Sequence, residues 1–325
     1  MGGNIIYFNY AGKLLEWRPE YGNGNKVEIG KFWYPNPSPS NPNRTTNQAG
    51  FQDIAVDADG KMYGVSSAQD GSFWAIDRAT AQVTYISSSF LDLATSSQHD
   101  IGDKINALAN AGLGRFFAAM DGGGITGAID NGHLYELFWD GTTLSGHDRG
   151  GYNPNTTDPV SAALFGNNYK ITSVGDLWYW NDTLYATVRA YDTFQEGEAR
   201  FMLATVDPLT AMCTAVANLD PWSDGTVVVD GVRQPKYDEG NRPTGNQYEA
   251  LVNHGPYVGL LRNDGYLMYW DGTVVLDGTN VHWTGIDVGC NDILGATVVT
   301  PAPGAVALGM LGLGMVGAWM RKKTV

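Results

Sequence analysis

Cysteine is scarce in this chain of 325 residues: only Cys213 and Cys290 occur, far apart and never as C-x-x-C. That spacing excludes a thiolate zinc centre and a dithiol redox motif. Two alternatives stand, one long-range disulfide or two small buried side chains. Histidine is just as sparse, and His99, His133, His147, His254 and His282 are scattered, no two at metal-ligand spacing. Cations are few as well: 20 Lys and Arg against 34 Asp and Glu leave a formal net charge of −14. Neutralising phosphates takes clustered Lys and Arg, so nucleic acid is excluded as a partner. No Ser-His-Asp order is present, and Gly122–Gly124 lacks the Lys-Ser/Thr of a phosphate-cradling loop. Met1–Trp17 lacks the basic start and apolar stretch of a signal peptide.

What is abundant points to strands and tight turns. The chain holds 42 Gly, 17 Tyr and 10 Trp, and a hydrophobic content of 43% suffices for a core. A unit of paired hairpins recurs. The clearest copy joins Asp53–Ser67 to Ser72–Ser88, where Ile54 and Val56 alternate with Asp53, Ala55 and Asp57. Further copies join Ile105–Met120 to Gly132–Gly146, Ile171–Arg189 to Phe201–Leu219, and Tyr248–Arg262 to Gly265–Gly278. Their spacing, roughly 50 to 75 residues, is that of propeller blades with insertions. His282–Val299 reads as the first two strands of a blade, and Ile5–Arg18 with Lys26–Tyr34 reads as later strands. Joining the two ends would close a ring and remove its exposed edges. The expectation is an all-β body over 1–299, a β-propeller of about five blades whose closing blade is shared by the two termini. A sixth blade follows if Ile5–Asn9 or Ile293–Val299 is surplus, and an unclosed β-sandwich array is the other alternative. Pro35–Gln48 reads as a solvated loop.

Residues 300–325 differ in kind. No charge falls between Ile293 and Met320, and Arg321, Lys322 and Lys323 follow. Pro301–Met320 is an apolar stretch of about 20 residues, or roughly 30 Å of helix, enough to cross a bilayer core. A C-terminal hydrophobic helix with the cations on the cytoplasmic side is expected, with the body on the other side. The step Pro301-Ala302-Pro303, the Gly-rich apolar run and the basic end together resemble the PEP-CTERM sorting signal of exported bacterial proteins. Ala302 stands where that family usually has Glu. The resemblance implies processing by an exosortase and a place in the cell envelope or outside it. It also implies an N-terminal signal peptide, so a missing or misassigned start is expected.

Four acids fall on expected inner strands: Asp53, Asp176, Glu249 and Asp287. A hydrolase on this fold would set such carboxylates about the axis as acid and base. Without further signals they read instead as groups that bind backbone N–H and join blades. Trp139 and Trp270 each precede Asp-Gly, readable as sugar platforms or as strand residues before a preferred turn. Asp57 and Asp59 begin a calcium-loop pattern, but Ala68 stands where the closing Glu belongs, so the expectation is a turn and no metal. The leading function is an exported, membrane-anchored binding or structural module with a polysaccharide or protein ligand. The alternatives are a carbohydrate-active hydrolase and a cytosolic protein with a docked C-terminal helix.

Overall fold

Alternating residues on a strand face opposite ways, so a strand apolar on both faces needs a neighbour on each. Stacking sheets face to face around an axis meets that need. The computed structural model describes residues 5–18, 22–34, 50–66, 71–102, 105–120, 132–166, 169–192, 195–219, 226–229, 232–235, 248–262, 265–275, 280–290 and 293–299. These form five antiparallel blades and one separate hairpin, Thr226–Val229 with Val232–Pro235. Blade 1 runs outward through Asp53–Val56, Met62–Ser66, Ser72–Ile76 and Val83–Ser87. Blade 2 runs through Ile105–Gly112, Arg115–Met120, His133–Trp139 and Leu144–Gly151, and the hairpin Ser89–Asp92/Ser97–Asp100 extends its outer edge. Blade 3 comprises Tyr169–Trp180, Thr183–Asp192, Gln195–Val206 and Met212–Asn218, with Asn153–Pro154 added outside. Blade 4 comprises Tyr248–His254, Tyr257–Arg262, Tyr266–Trp270 and Val281–Asp287. In blade 5 the inner strand is Ile293–Val299, followed outward by Ile5–Tyr10, Lys13–Trp17 and Val27–Lys31. Each inner strand touches the next, and blade 5 touches blade 1, closing the circuit.

The core divides accordingly into five clusters, one at each boundary between blades. Blade 1 shows the period-two logic directly: Ile54 and Val56 pack toward blade 5, whereas Ala55 packs toward blade 2. Cys213 and Cys290 are buried in different clusters and are free thiols, so no disulfide joins them.

The shared closing blade is present, and neither Ile5–Tyr10 nor Ile293–Val299 is surplus, because each is the other's partner. Five is therefore the count among the described residues. The seam differs from the expectation by one strand. Val281–Asp287 is the outer strand of blade 4, paired with Tyr266–Trp270, rather than the opening strand of the closing blade. The Asp271 N–H donates to Asn280 O at 3.1 Å, and this turn folds the chain back onto its own blade. A short helix, Pro159–Phe165, was not expected. Asp158 caps it by accepting from Ser161 N at 2.7 Å, Pro159 supplies its first position, and Leu164 and Phe165 anchor it between blades 2 and 3. Among the described residues no helix is long and apolar enough to cross a membrane. The expected C-terminal helix and the Pro35–Gln48 loop lie outside those residues.

Removing Ile5–Lys31 would strip blade 5 to a single strand and expose sheet edges on both sides of the gap. The truncated chain should lose its cooperative thermal transition, followed by circular dichroism, and elute as aggregate. A monomer that melts like the full chain would contradict closure by the two ends.

Candidate functional site

The inner strands differ in length, four residues in blade 1 against 12 in blade 3. The extra length carries Trp178, Tyr179 and Trp180 to one wall of a cavity of about 620 Å³ at the end of the axis. That volume lies within the range of about 300–1,000 Å³ usual for small-molecule sites. The hairpin beyond Trp180 turns through Asn181 and Asp182, at φ 49° and 59°. Asn and Asp enter this left-handed region more readily than other side chains. The Asp57–Gly60 turn of blade 1, Leu108–Asn110 of blade 2 and Ala296–Val299 of blade 5 complete the lining.

Several polar groups of the lining are already engaged in the fold. Asp57 Oδ1 accepts from the N–H of Asp59 and of Lys61, both at 2.9 Å. Asn110 donates to Gly112 O at 2.6 Å and accepts from Gly112 N at 3.2 Å. Thr297 Oγ1 accepts from Val56 N at 3.1 Å, tying blade 5 to blade 1. Asp57 and Asp59 thus shape a turn, as the missing Glu implied, and Asp59 stands 4.0 Å from Lys61 Nζ. Burial, then the charges of Asp57 and Asp59, push the neighbouring Tyr63 phenol up to about 12. Among the described residues no group of three or more His, Cys, Asp or Glu is placed to hold a metal.

Beneath the cavity floor lie two of the four predicted acids. Asp53 and Asp176 sit on inner strands of blades 1 and 3 and are fully enclosed. Asp53 Oδ2 accepts from Leu108 N of blade 2 at 2.6 Å, and its Oδ1 accepts from Ile54 N at 2.7 Å. Asp176 Oδ2 accepts from Leu251 N of blade 4. The two carboxyl groups also hydrogen-bond to each other. Burial, then the negative charge of Asp176 and the bond to it, hold the Asp53 carboxyl well above the usual range. The N–H bonds from Leu108 and Ile54 oppose this without reversing it. The pair therefore keeps a proton where isolated carboxylates would have none. Gly295 of blade 5 has to be glycine here, since a Cβ would stand 2.3 Å from Asp53 Oδ1.

The other predicted positions are elsewhere. Asp287 is on the outer strand of blade 4, a consequence of the seam pairing, and its Oδ1 accepts from Gly289 N at 2.6 Å. Glu249 lies on the inner strand of blade 4, and its side chain is outside the described set. Trp139 and Trp270 end third strands and do not line the cavity. Trp270 is buried, with its indole N–H on Thr273 O at 2.6 Å. The Asp after each belongs to a wider pattern. Asp77, Asp140, Asp207 and Asp271 follow the third strands of blades 1 to 4. Each accepts the N–H two residues on, from Ala79, Thr142, Leu209 and Thr273, at 2.7–2.8 Å. The recurring Asp is thus a turn-forming device of the blade. Trp178, Trp180 and Asn181 were not singled out from sequence. The signal was three consecutive aromatics before an Asn-Asp turn, which makes both faces of a strand end aromatic.

No protein-family model matches the sequence, and no curated protein does. Among solved structures the chain is similar to a protein of unknown function from Bacteroides thetaiotaomicron VPI-5482, at 10% identity and TM-score 0.40, over 90% of this chain and 64% of that one. It thus spans less than two thirds of that protein's length. It is also similar to an alpha-L-arabinofuranosidase from Lactobacillus brevis, at 13% identity and TM-score 0.39, over 73% of this chain and 74% of that one. A third similarity is to the Dos1 propeller, at 10% identity and TM-score 0.32, over 89% of this chain and 68% of that one.

Asp53→Ala should cost about 1–3 kcal/mol in urea denaturation, because the buried N–H of Leu108 loses its acceptor. Asp176→Asn keeps an acceptor for Leu251 and removes the charge facing Asp53. With its pKa raised in the folded state, Asp53 contributes full stability below the ordinary carboxylate value of about 3.9. That contribution is lost as pH rises toward and through the raised value. The Asp176→Asn protein should therefore lose less stability than the wild type as pH climbs above that value. Equal slopes in a pH series would show that the two carboxyls are not coupled.

Proposed function

We propose that this chain is a β-propeller binding module that takes a small ligand, or one unit of a larger one, in the axial cavity. One observation carries the reading: the cavity has an accessible aromatic wall, while the carboxyl pair beneath it is enclosed and occupied in joining blades. Hydrolysis of a glycosidic bond uses two carboxyl groups about 5–9.5 Å apart that flank the bond. Asp53 and Asp176 are instead fully enclosed and coupled to each other, away from any surface a glycosidic bond could reach. The module is further proposed to be exported and held at the cell envelope, with residues 300–325 as the tail that a membrane inserts and an exosortase-type enzyme processes. The uncharged run before Arg321–Lys323 supports this. So does closure of the ring with Val299 as its last strand residue.

A thermal-shift screen of a small-molecule library tests the cavity. A ligand at about 100 times its Kd should stabilise the wild type by about 2.7 kcal/mol. The gain should vanish in Trp180→Ala and persist in Asp176→Asn. A ligand that is turned over by the wild type but not by Asp176→Asn would replace the binding module with a hydrolase. For the tail, truncation after Val299 should leave melting unchanged and release the chain from the membrane fraction. A truncated protein that loses most of its thermal stability would make that segment a core helix.

A further inference from the structure

We infer that the cavity's ligand is a neutral, hydroxylated ring, a saccharide unit stacked on Trp180. The inference rests on the cavity being the binding site and goes further by naming the chemistry that the wall selects.

The polar groups that folding leaves unused make the case. Asp57, Asn110 and Thr297 are engaged within the ring. By contrast, the indole N–H of Trp180 and the side-chain amide of Asn181 make no hydrogen bond among the described residues, and both residues line the cavity. Trp180 packs one side against the blade 3–4 core and makes no ring–ring contact among those residues, whereas Tyr179 meets Phe117 in a tilted contact at 5.8 Å. Trp178 is packed between the cores of the blade 3–4 and blade 4–5 boundaries, and its indole nitrogen is sealed from solvent. The part of Trp180 that lines the cavity is what remains for a ligand, which makes a platform rather than the multi-ring cage that holds a quaternary ammonium.

Charge narrows the choice. Among the described residues the lining contains Asp57 and Asp59 and no Lys, Arg or His, in a chain of net charge −14. Uronates, sulfates and phosphates would meet a field of their own sign with no cation to receive them. Two cations flank the Asp57–Gly60 turn, but Lys61 faces Asp59, and Arg78 lies over the Tyr7 ring at 5.7 Å. Donor–acceptor character narrows it again. An indole N–H donates, and an amide both donates and accepts. A sugar hydroxyl also does both, an anion only accepts and an ammonium only donates. A pyranose adds an apolar C–H face with a polar rim, which fits an indole beside an amide.

Isothermal titration of the full chain tests this with three probe sets: neutral gluco-, manno-, galacto- and xylo-oligosaccharides, oligogalacturonates, and choline. A neutral oligosaccharide is expected to bind, with affinity falling about tenfold or more in Trp180→Ala. Asn181→Gly, which tolerates the positive φ and removes only the amide, should lower it about two- to tenfold. It also serves as the readout if Trp180→Ala fails to fold. Tighter Trp180-dependent binding of oligogalacturonate or choline would overturn the inference and leave the cavity as the site. No variant-sensitive binding of any neutral oligosaccharide would also overturn it. The binding-module reading itself falls only if the small-molecule library likewise yields no Trp180-dependent ligand.

Discussion

Ring closure by pairing the two ends of the chain is the constraint on which everything else depends. Ile5 to Tyr10 pair with Ile293 to Val299, with one irregularity near Tyr10. Without that ladder, four blades would leave apolar faces of blades 1 and 4 uncovered, and the described residues offer no other element to cover them. The cost is a long loop, since almost the whole chain must be ordered before these strands meet. Loop entropy grows only logarithmically with length, so the burden falls on folding rate more than on stability.

Once closed, the ring is fastened near its axis by polar clasps as well as apolar packing. Asp53 reaches Leu108 from blade 1 to blade 2, and Asn106 reaches Ser173 O at 3.1 Å from blade 2 to blade 3. Asp176 reaches Leu251 from blade 3 to blade 4, and Thr297 accepts from Val56 between blades 5 and 1. Inner strands turn their backbone edges toward the axis, where no further strand can pair with them. Short polar side chains meet the N–H and C=O groups that would otherwise be buried without partners. The pair of acids is the extreme case, since two carboxyl groups are tolerated in full burial by sharing hydrogen bonds and keeping a proton.

Much of this was legible from residue order. The period-two runs located four blades and the split fifth, because strand pattern and turn chemistry agree along Asp53–Ser88 and its copies. The seam strand Val281–Asp287 was harder. Its apolar pattern serves an outer strand as well as an inner one, and only the Asp271–Asn280 turn decides which blade takes it. Helix Pro159–Phe165 was readable in the order Asp-Pro followed by small and apolar residues, but seven residues give too short a period to stand out. Asp53 and Asp176 were correctly placed on inner strands, and their meeting was not readable, because contact across an axis leaves no spacing in the chain. The cavity was missed for a related reason. It arises from unequal strand lengths in different blades, which no single repeat copy displays.

Blade 5 differs from its neighbours in one further respect. At the cavity end, blade 1 closes its first hairpin with Asp57–Lys61, blade 3 with Asn181–Asp182 and blade 4 with Gly255–Pro256. In blade 5 the matching positions are Ile5 and Val299, cross-strand partners at which the chain enters and leaves the ring. Val299 is itself part of the cavity wall. A segment continuing from either end of the ring therefore starts at the cavity's rim. A ligand entering the cavity thus passes beside the two points where the chain joins the ring.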